Sequence, residues 1–189
     1  MSATRCGRIT SNCGRSRPVE RGTRGRGKIC VRDSVLRFIE KMEINPVGHE
    51  DVAFLLSLMR AMQKDDPWSV PFEEDRVRRA VEKLLANPGF GQAWLVRENG
   101  QVVGYAVMSF DYSLEYGGRN AWVDEIFIAK EARGRGLGER VMDFVEKAAR
   151  EAGVTAIHLE VKPGNKAIHL YRRRGFEEHE RYLMTKWLG

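Results

Sequence analysis

An α/β (α+β) fold, a mixed sheet with helices on its faces, is what this 189-residue chain predicts. Three observations carry that reading. Apolar runs bounded by turn signals interleave with segments of helical period. Asn99-Gly100 sits between two apolar runs, the strongest short-range hairpin signal. From Lys130 onward strand and helix patterns alternate, which puts helices on the faces of a sheet.

The elements follow in order. MEINPV (42–47) reads as a short strand. HEDVAFLLSLMRAMQKD (49–65) carries Val52, Leu55, Leu56, Met59 and Met62 at helical spacing. DPWSVP breaks the chain with two prolines. FEEDRVRRAVEKLLANPG is a second helix, with Val77, Val81, Leu84 and Leu85 on one face and Asn87-Pro88-Gly89 as its stop. GQAWLVRENGQVVGYAVMSFDY is the hairpin. SLEYGGRN is a loop, and AWVDEIFIAK the third strand of the meander. Leu137, Val141, Phe144, Val145, Ala148 and Ala152 form a helical stripe closed by Gly153. VTAIHLEV is a strand and NKAIHLYRRR a short helix with arginines in its last turn, where they suit the dipole. FEEHERYLMTKWL is expected to end the chain as one or two strands, with Tyr182 and Trp187 in the core or on a sheet face.

Charge is unevenly distributed. Residues 1–32 hold eight Arg, one Lys and one Glu, an excess larger than the net +6 of the whole chain, so the remainder is slightly acidic. The region 1–40 is rich in Gly, Arg and Ser and cannot bury enough apolar surface to order itself. It is expected to be a basic, disordered extension, with a domain over 41–189. It reads equally as a targeting segment or as translated sequence upstream of a start at Met42. An arm of this kind can bind nucleic acid, but it has no aromatic residue to stack on a base, which argues against that partner. DSVLRFIE (33–40) has the pattern of a short helix. All three cysteines, Cys6, Cys13 and Cys30, lie before residue 41, in a spacing that fits no zinc pattern. A cytoplasmic, reducing setting is expected. No apolar run reaches the roughly 18 residues of a membrane span, and no secretory signal is visible. No metal is expected, since His49, His158, His169 and His179 show no ligand spacing.

The stretch KEARGRGLGERVMDFVEKAA places Gly134, Gly136 and Gly138 between a strand and a helix. A helix N-terminus offers unpaired N–H groups and roughly half a positive charge, a ready anion site. Glycine lets a ligand approach the backbone and permits unusual dihedrals. Arg133 and Arg135 add charge beside it. Neither a Walker loop nor a dinucleotide G-x-G-x-x-G is spelled here. The residues spell R-x-x-G-x-G, as Arg133-Gly134-Arg135-Gly136-Leu137-Gly138.

That run resembles the pyrophosphate-binding motif of the GNAT superfamily of acyl-CoA-dependent N-acetyltransferases. The strand before it, Val123 to Ile128, is similar to the family's. Asn165 to Phe176 resembles the second signature, N-x-x-A-x-x-x-Y-x-x-x-G-F, with one residue fewer between Asn and Ala. The resemblance covers Met42 to Gly189. It implies a mostly antiparallel sheet with helices on both faces, splayed between its fourth and fifth strands. It implies acetyl-CoA as acyl donor, its arm on the backbone of Phe127 and Ile128, its diphosphate on 133–139 (Arg133, Gly134, Arg135, Gly136, Leu137, Gly138, Glu139), and Asn165 touching the arm from the other side. Tyr171 stands where the family places its general acid. Glu125 or Asp124 is the candidate base toward an amine whose pKa is near 10.4. As neighbours on a strand they are expected on opposite faces, one of them in the cleft, and Glu125 is favoured. The domain's lack of cysteine fits direct transfer rather than a cysteinyl acyl-enzyme.

The acceptor is expected to be a small cationic primary amine: a polyamine, an aminoglycoside or an amino-acid derivative. Acidic and aromatic groups in two variable loops suit a cation: Trp68 in one, and Asp111, Tyr112, Glu115 and Tyr116 in the other. The alternatives are acetylation of a protein N-terminus or lysine, and an acyl-CoA sensor without turnover. A homodimer is left open.

Overall fold

The computed structural model describes residues 41–188; the expectations for the N-terminal extension lie outside them. A five-stranded sheet runs in the order β1 (Met42–Pro46), β2 (Gly91–Glu98), β3 (Gln101–Ser113), β4 (Gly118–Ile128), β5 (Ala156–Leu159). The first three pairings are antiparallel and β4–β5 is parallel. Parallel neighbours need a crossover, which is supplied by helix α3 (Leu137–Glu151).

Local chemistry sets these elements. Asn99 and Gly100 have φ of 52° and 81°, the pair of positive values a type I′ hairpin turn requires. They join β2 to β3 with Glu98 opposite Gln101. Gly153, φ 72°, ends α3, its N–H donating to the Arg150 carbonyl at 3.0 Å, a left-handed helix stop. β3 and β4 are longer than the sequence suggests. Ser113 pairs with Gly118, so part of the expected loop is strand.

Strand alternation then divides the core. Ala93, Leu95, Tyr105, Val107 and Phe127 pack against helices α1 (Val52–Asp65) and α2 (Glu74–Ala86). The intervening Trp94, Val96, Ala106 and Met108, with Ala121 and Val123, pack against Val141, Val145 and Ala149 of α3. Helices therefore cover both faces, as the resemblance implies. Among the described residues no helix is long and apolar enough to cross a membrane.

Two expectations are corrected. The stretch 176–188 forms no strand. Tyr182 and Trp187 are 96% and 67% exposed rather than in a core or on a sheet face. The turn after helix α4 (Ile168–Arg173) runs into Glu177, Glu178, His179 and Glu180, an exposed polar run. Among the described residues no layer covers the apolar side chains beyond it. The second correction concerns the neighbours Asp124 and Glu125. Val107 faces Glu125 while Met108 faces Val123, so Asp124 is the extra residue of a bulge. A bulge suspends the alternation that would send them to opposite faces.

Candidate active site

β5 pairs with β4 only from Asn120 to Val123. β4 continues to Ile128, so Asp124–Ile128 leave an edge that β5 does not meet. This is the splay expected between the fourth and fifth strands. Phe127 is buried toward α1 and α2, and Ile128 packs toward α3. The carbonyl of Ile128 accepts from Arg133 Nε at 2.7 Å.

Beyond β4 a single turn (Lys130–Ala132) leads into the glycine loop. Gly134 and Gly136 have φ of 79° and 76°, and nothing lies within 4 Å of where a Cβ would stand on either. Their role is therefore conformational, and the space above them is open. Gly136 is the N-cap of α3, and no side chain caps that terminus. The N–H groups of Leu137, Gly138 and Glu139 are left facing outward with the positive end of the dipole. An open, uncapped helix start fits a diphosphate.

The two arginines of the motif do different work from that expected. Arg133 Nη2 reaches Asp65 at 2.8 Å, and its guanidinium lies 5.7 Å from the Phe127 ring. Arg135 Nη1 pairs with Glu98 at 2.6 Å, and its Nη2 donates to the Glu131 carbonyl. Both brace the loop against the sheet and α1, and both meet a carboxylate. Attraction for an anion then rests on the amides and the dipole more than on these side chains.

α4 stands beside the loop. Leu170 Cδ2 lies 3.6 Å from where a Cβ on Gly138 would be. Arg173 pairs with Glu139 at 2.7 Å, and Arg174 with Asp143 and Glu146 at 2.7 Å each. Tyr171, on the same helix, is half-buried with its ring 5.8 Å from Phe176, and burial raises its hydroxyl pKa. Asn165 Oδ1 accepts from Ala167 N–H at 2.9 Å, shaping the entry to α4. Its Nδ2 reaches Asp66 at 3.5 Å, and Lys162 pairs with the same Asp66. Asp65 meanwhile pairs with Lys130 and Arg133 at 2.8 Å, which hold its carboxyl below the usual range. The end of α1 thus ties the segment after β4 to the segment after β5, across the splay.

Glu125 stands on this edge. Tyr105, fully buried, donates its hydroxyl to Glu125 Oε2 at 2.7 Å, and the Trp68 indole also donates to the carboxylate. Burial pushes Glu125 up to about 7. The two hydrogen bonds oppose that shift, and the charge of Asp124 adds to it. The same carboxylate raises the Tyr105 hydroxyl pKa, after burial. Asp124 is exposed by area yet sits in a concave recess where protein displaces water. It is raised by that desolvation and held by a hydrogen bond from Ser109.

The acceptor residues expected from sequence divide. Trp68 is at Glu125, with its ring 5.5 Å from Phe72. Asp111 and Tyr112 lie on β3, opposite Asn120 and Arg119. At the rise of a strand, Asp111 is roughly 13 Å along the chain from Val107, the partner of Glu125. Glu115 is paired with Arg181 through two contacts at 2.8 and 3.1 Å, and Tyr116 rests on His158 at 4.5 Å. His158 in turn lies 5.1 Å from Trp122, so an aromatic row links the hairpin tip to the recess. Burial lowers the His158 pKa. Sequence reasoning did not single out Tyr105, whose one signal is a phenol among the small and aliphatic residues of GYAVM. Nor did it single out Asp65 and Asp66, the last residue of α1 and its C-cap.

A sheet that parts beside an uncapped helix start, with a carboxylate on the parted edge, defines a transferase frame. The model of the "Acetyltransferase (GNAT) family" matches residues 55–176. Thialysine N-epsilon-acetyltransferase of Bos taurus is 30% identical over 142 residues, covering 68% of this chain and 79% of that protein. An integron cassette protein from the mobile metagenome of Cole Harbour Salt Marsh superposes with a TM-score of 0.67 at 33% identity, covering 77% of this chain and 90% of that one. A predicted acetyltransferase from Clostridium acetobutylicum, solved with acetyl-CoA, does so at 0.67 and 19% identity, over 77% and 96%. The chain belongs to the GNAT acetyltransferase family and is an N-acetyltransferase.

Proposed function

We propose that this enzyme moves an acetyl group from acetyl-CoA directly to a primary amine of a small cationic molecule, with Glu125 as base and Tyr171 as acid. The observation that carries this is Glu125: a desolvated carboxylate with a pKa of about 7, gripped by Tyr105 and Trp68, on the parted edge of β4.

Acetyl-CoA, when bound, supplies the activated acyl carbon and a thiolate leaving group. The loop residues 133–139 would hold its diphosphate through main-chain amides, and the edge at Phe127 and Ile128 its arm, with Asn165 opposite. Glu125 accepts a proton from the incoming ammonium, directly or through water. A base titrating near the working pH combines availability with driving force. Tyr105 and Trp68 fix which way the carboxylate points. Asp124 adds negative charge at the recess, which favours a cationic acceptor. A main-chain N–H of the parted strand would meet the developing oxyanion. Tyr171, its pKa raised by burial, stays protonated at neutral pH and can give its proton to the departing thiolate.

The bovine relative is named for the epsilon nitrogen of thialysine, which supports the small-amine reading over a peptide one. The test is to mix the full chain with acetyl-CoA and a panel of lysine analogues, polyamines, aminoglycosides and peptides, and to follow free thiol. Turnover confined to peptides would favour the protein-acetylating alternative, and none at all the sensor.

Two variants probe the assigned roles. Tyr171→Phe is expected to lower kcat by about 100- to 10,000-fold, the range of lost acid catalysis, with coenzyme A affinity unchanged by calorimetry. An equal loss of both would make the residue structural. Tyr105→Phe removes a bond that lowers the Glu125 pKa, so the rise of kcat/KM with pH should move upward from near 7. Activity then suffers more at pH 6.5 than at pH 9, and an unmoved profile would detach Tyr105 from Glu125.

A further inference from the structure

The loop 66–73 between α1 and α2 carries Trp68, which with Tyr105 donates to Glu125. Pro67 and Pro71 deprive this loop of two main-chain donors, so side chains from elsewhere must help to shape it. From α1, Gln63 Oε1 accepts from the Trp68 main-chain N–H at 2.9 Å. Within the loop, the Phe72 ring stands 5.5 Å from the indole. From the far side of the splay comes Lys162, in the segment that follows β5. Its Nζ pairs with Asp66 Oδ1 and donates to the Pro67 carbonyl. Those are the two residues directly before Trp68.

An exposed ion pair contributes little by itself, and the Lys162 and Asp66 side chains are 56% and 42% exposed. This contact is more than one pair. Lys162 holds two neighbouring residues at once, one through its carboxylate and one through its main chain. Asn165 Nδ2 reaches the other oxygen of Asp66 at 3.5 Å. The preceding Asp65 is fixed by Lys130 and Arg133 at 2.8 Å each. A network of charges restrains geometry where a lone pair does not.

We propose that Lys162 is a positioning residue: it reaches across the parted sheet, fastens Asp66 and Pro67, and so seats the Trp68 indole on Glu125. Lys162 touches neither reacting group and acts through the loop. The other groups that face Glu125 are Tyr105 on β3 and Asp124 beside it on β4. Neither belongs to the loop, so what Lys162 governs is the indole alone. A carboxylate that must take a proton from an amine works in a narrow range of orientations, and the indole is one of its two guides. The effect on rate rests on Glu125 as the base. The seating of Trp68 does not, and it is read without turnover.

The test compares the full chain with Lys162→Met, which keeps the apolar stem, and Lys162→Arg, which keeps the charge and the donors. Circular dichroism checks that each is folded. The indole N–H signal of Trp68, assigned by its loss in Trp68→Phe, is followed by proton–nitrogen NMR against pH. In the parent and in Lys162→Arg it should move as Glu125 titrates near pH 7. In Lys162→Met most of that movement should vanish. The same variant should lower kcat by about 2- to 13-fold, the factor carried by one ordinary hydrogen bond, with coenzyme A affinity unchanged. In a Trp68→Phe background it should cost nothing further, because both changes remove one interaction. An indole signal indifferent to Lys162→Met overturns the proposal. So does a kcat loss that adds in full to that of Trp68→Phe, or an equal loss in Lys162→Arg. An indole that behaves as expected while Glu125→Gln stays active upholds the seating and removes only the base.

Discussion

Glu125→Gln is expected to lower kcat by about 100- to 10,000-fold, the loss associated with removing a positioned base, while coenzyme A binds as before. Glutamine keeps the shape and can still accept from Tyr105 and Trp68, so the geometry survives and only proton acceptance is lost. The same substitution should stabilise the protein, and the sign follows from linkage. The folded pKa of about 7 lies above the ordinary 4.5, so the folded state holds the proton more tightly. The favourable contribution of the protonated form is complete below about pH 4.5 and is lost as pH rises toward and through 7. Glutamine mimics the protonated form at every pH. The variant should gain little at pH 4.5 and about 1–3 kcal/mol at pH 8, read as a rise in Tm. A kcat within tenfold of the parent's would remove Glu125 as the base. A Tm difference that does not grow with pH would contradict the desolvated carboxylate.

The second large effect lies at Gly136. Its φ of 76° is a conformation that Asp tolerates better than most residues, and no atom obstructs a Cβ there. Gly136→Asp should therefore fold, at a cost of about 1–2 kcal/mol. It sets a carboxylate at the mouth of α3, where the new charge answers the dipole and repels the diphosphate. Losing one charge-assisted hydrogen bond, about 1.5–3 kcal/mol, weakens coenzyme A by about 10- to 150-fold. Gly136→Asn shares the backbone strain without the charge and should lose distinctly less. Equal losses in the two variants would assign the effect to strain, and no loss in either would separate the loop from the ligand.

Much of the frame was legible in the residues. Asn99-Gly100 and Gly153 name their own turns, because few residues adopt positive φ at low cost. The helical stripes of α1, α2 and α3 fall on the faces that are buried. Gly134 and Gly136 were legible as a loop because spacing alone exposes them. The rest depends on pairing across the fold. The bulge at Asp124 arises from the register of β3 against β4, which interrupts the local alternation that sent Asp124 and Glu125 to opposite faces. Arg133 and Arg135 looked like free charge in the motif. Their partners Asp65 and Glu98 stand 68 and 37 positions away, beyond any local pattern. Ser113 and Gly118 to Asn120 read as loop because the hairpin of β3 and β4 is longer than its hydrophobic run. The segment 182–188 has the composition of a strand, but a strand is made by pairing, and among the described residues it pairs with none.

The account rests on main-chain amides at the start of α3 holding the diphosphate. The most direct measurement is a proton–nitrogen NMR titration that follows the amides of Gly134, Gly136 and Gly138. With coenzyme A these three signals should move together and furthest, and with pantetheine, which lacks the diphosphate, they should stay in place. Equal shifts with both ligands, or shifts that spare the three glycines, would contradict it.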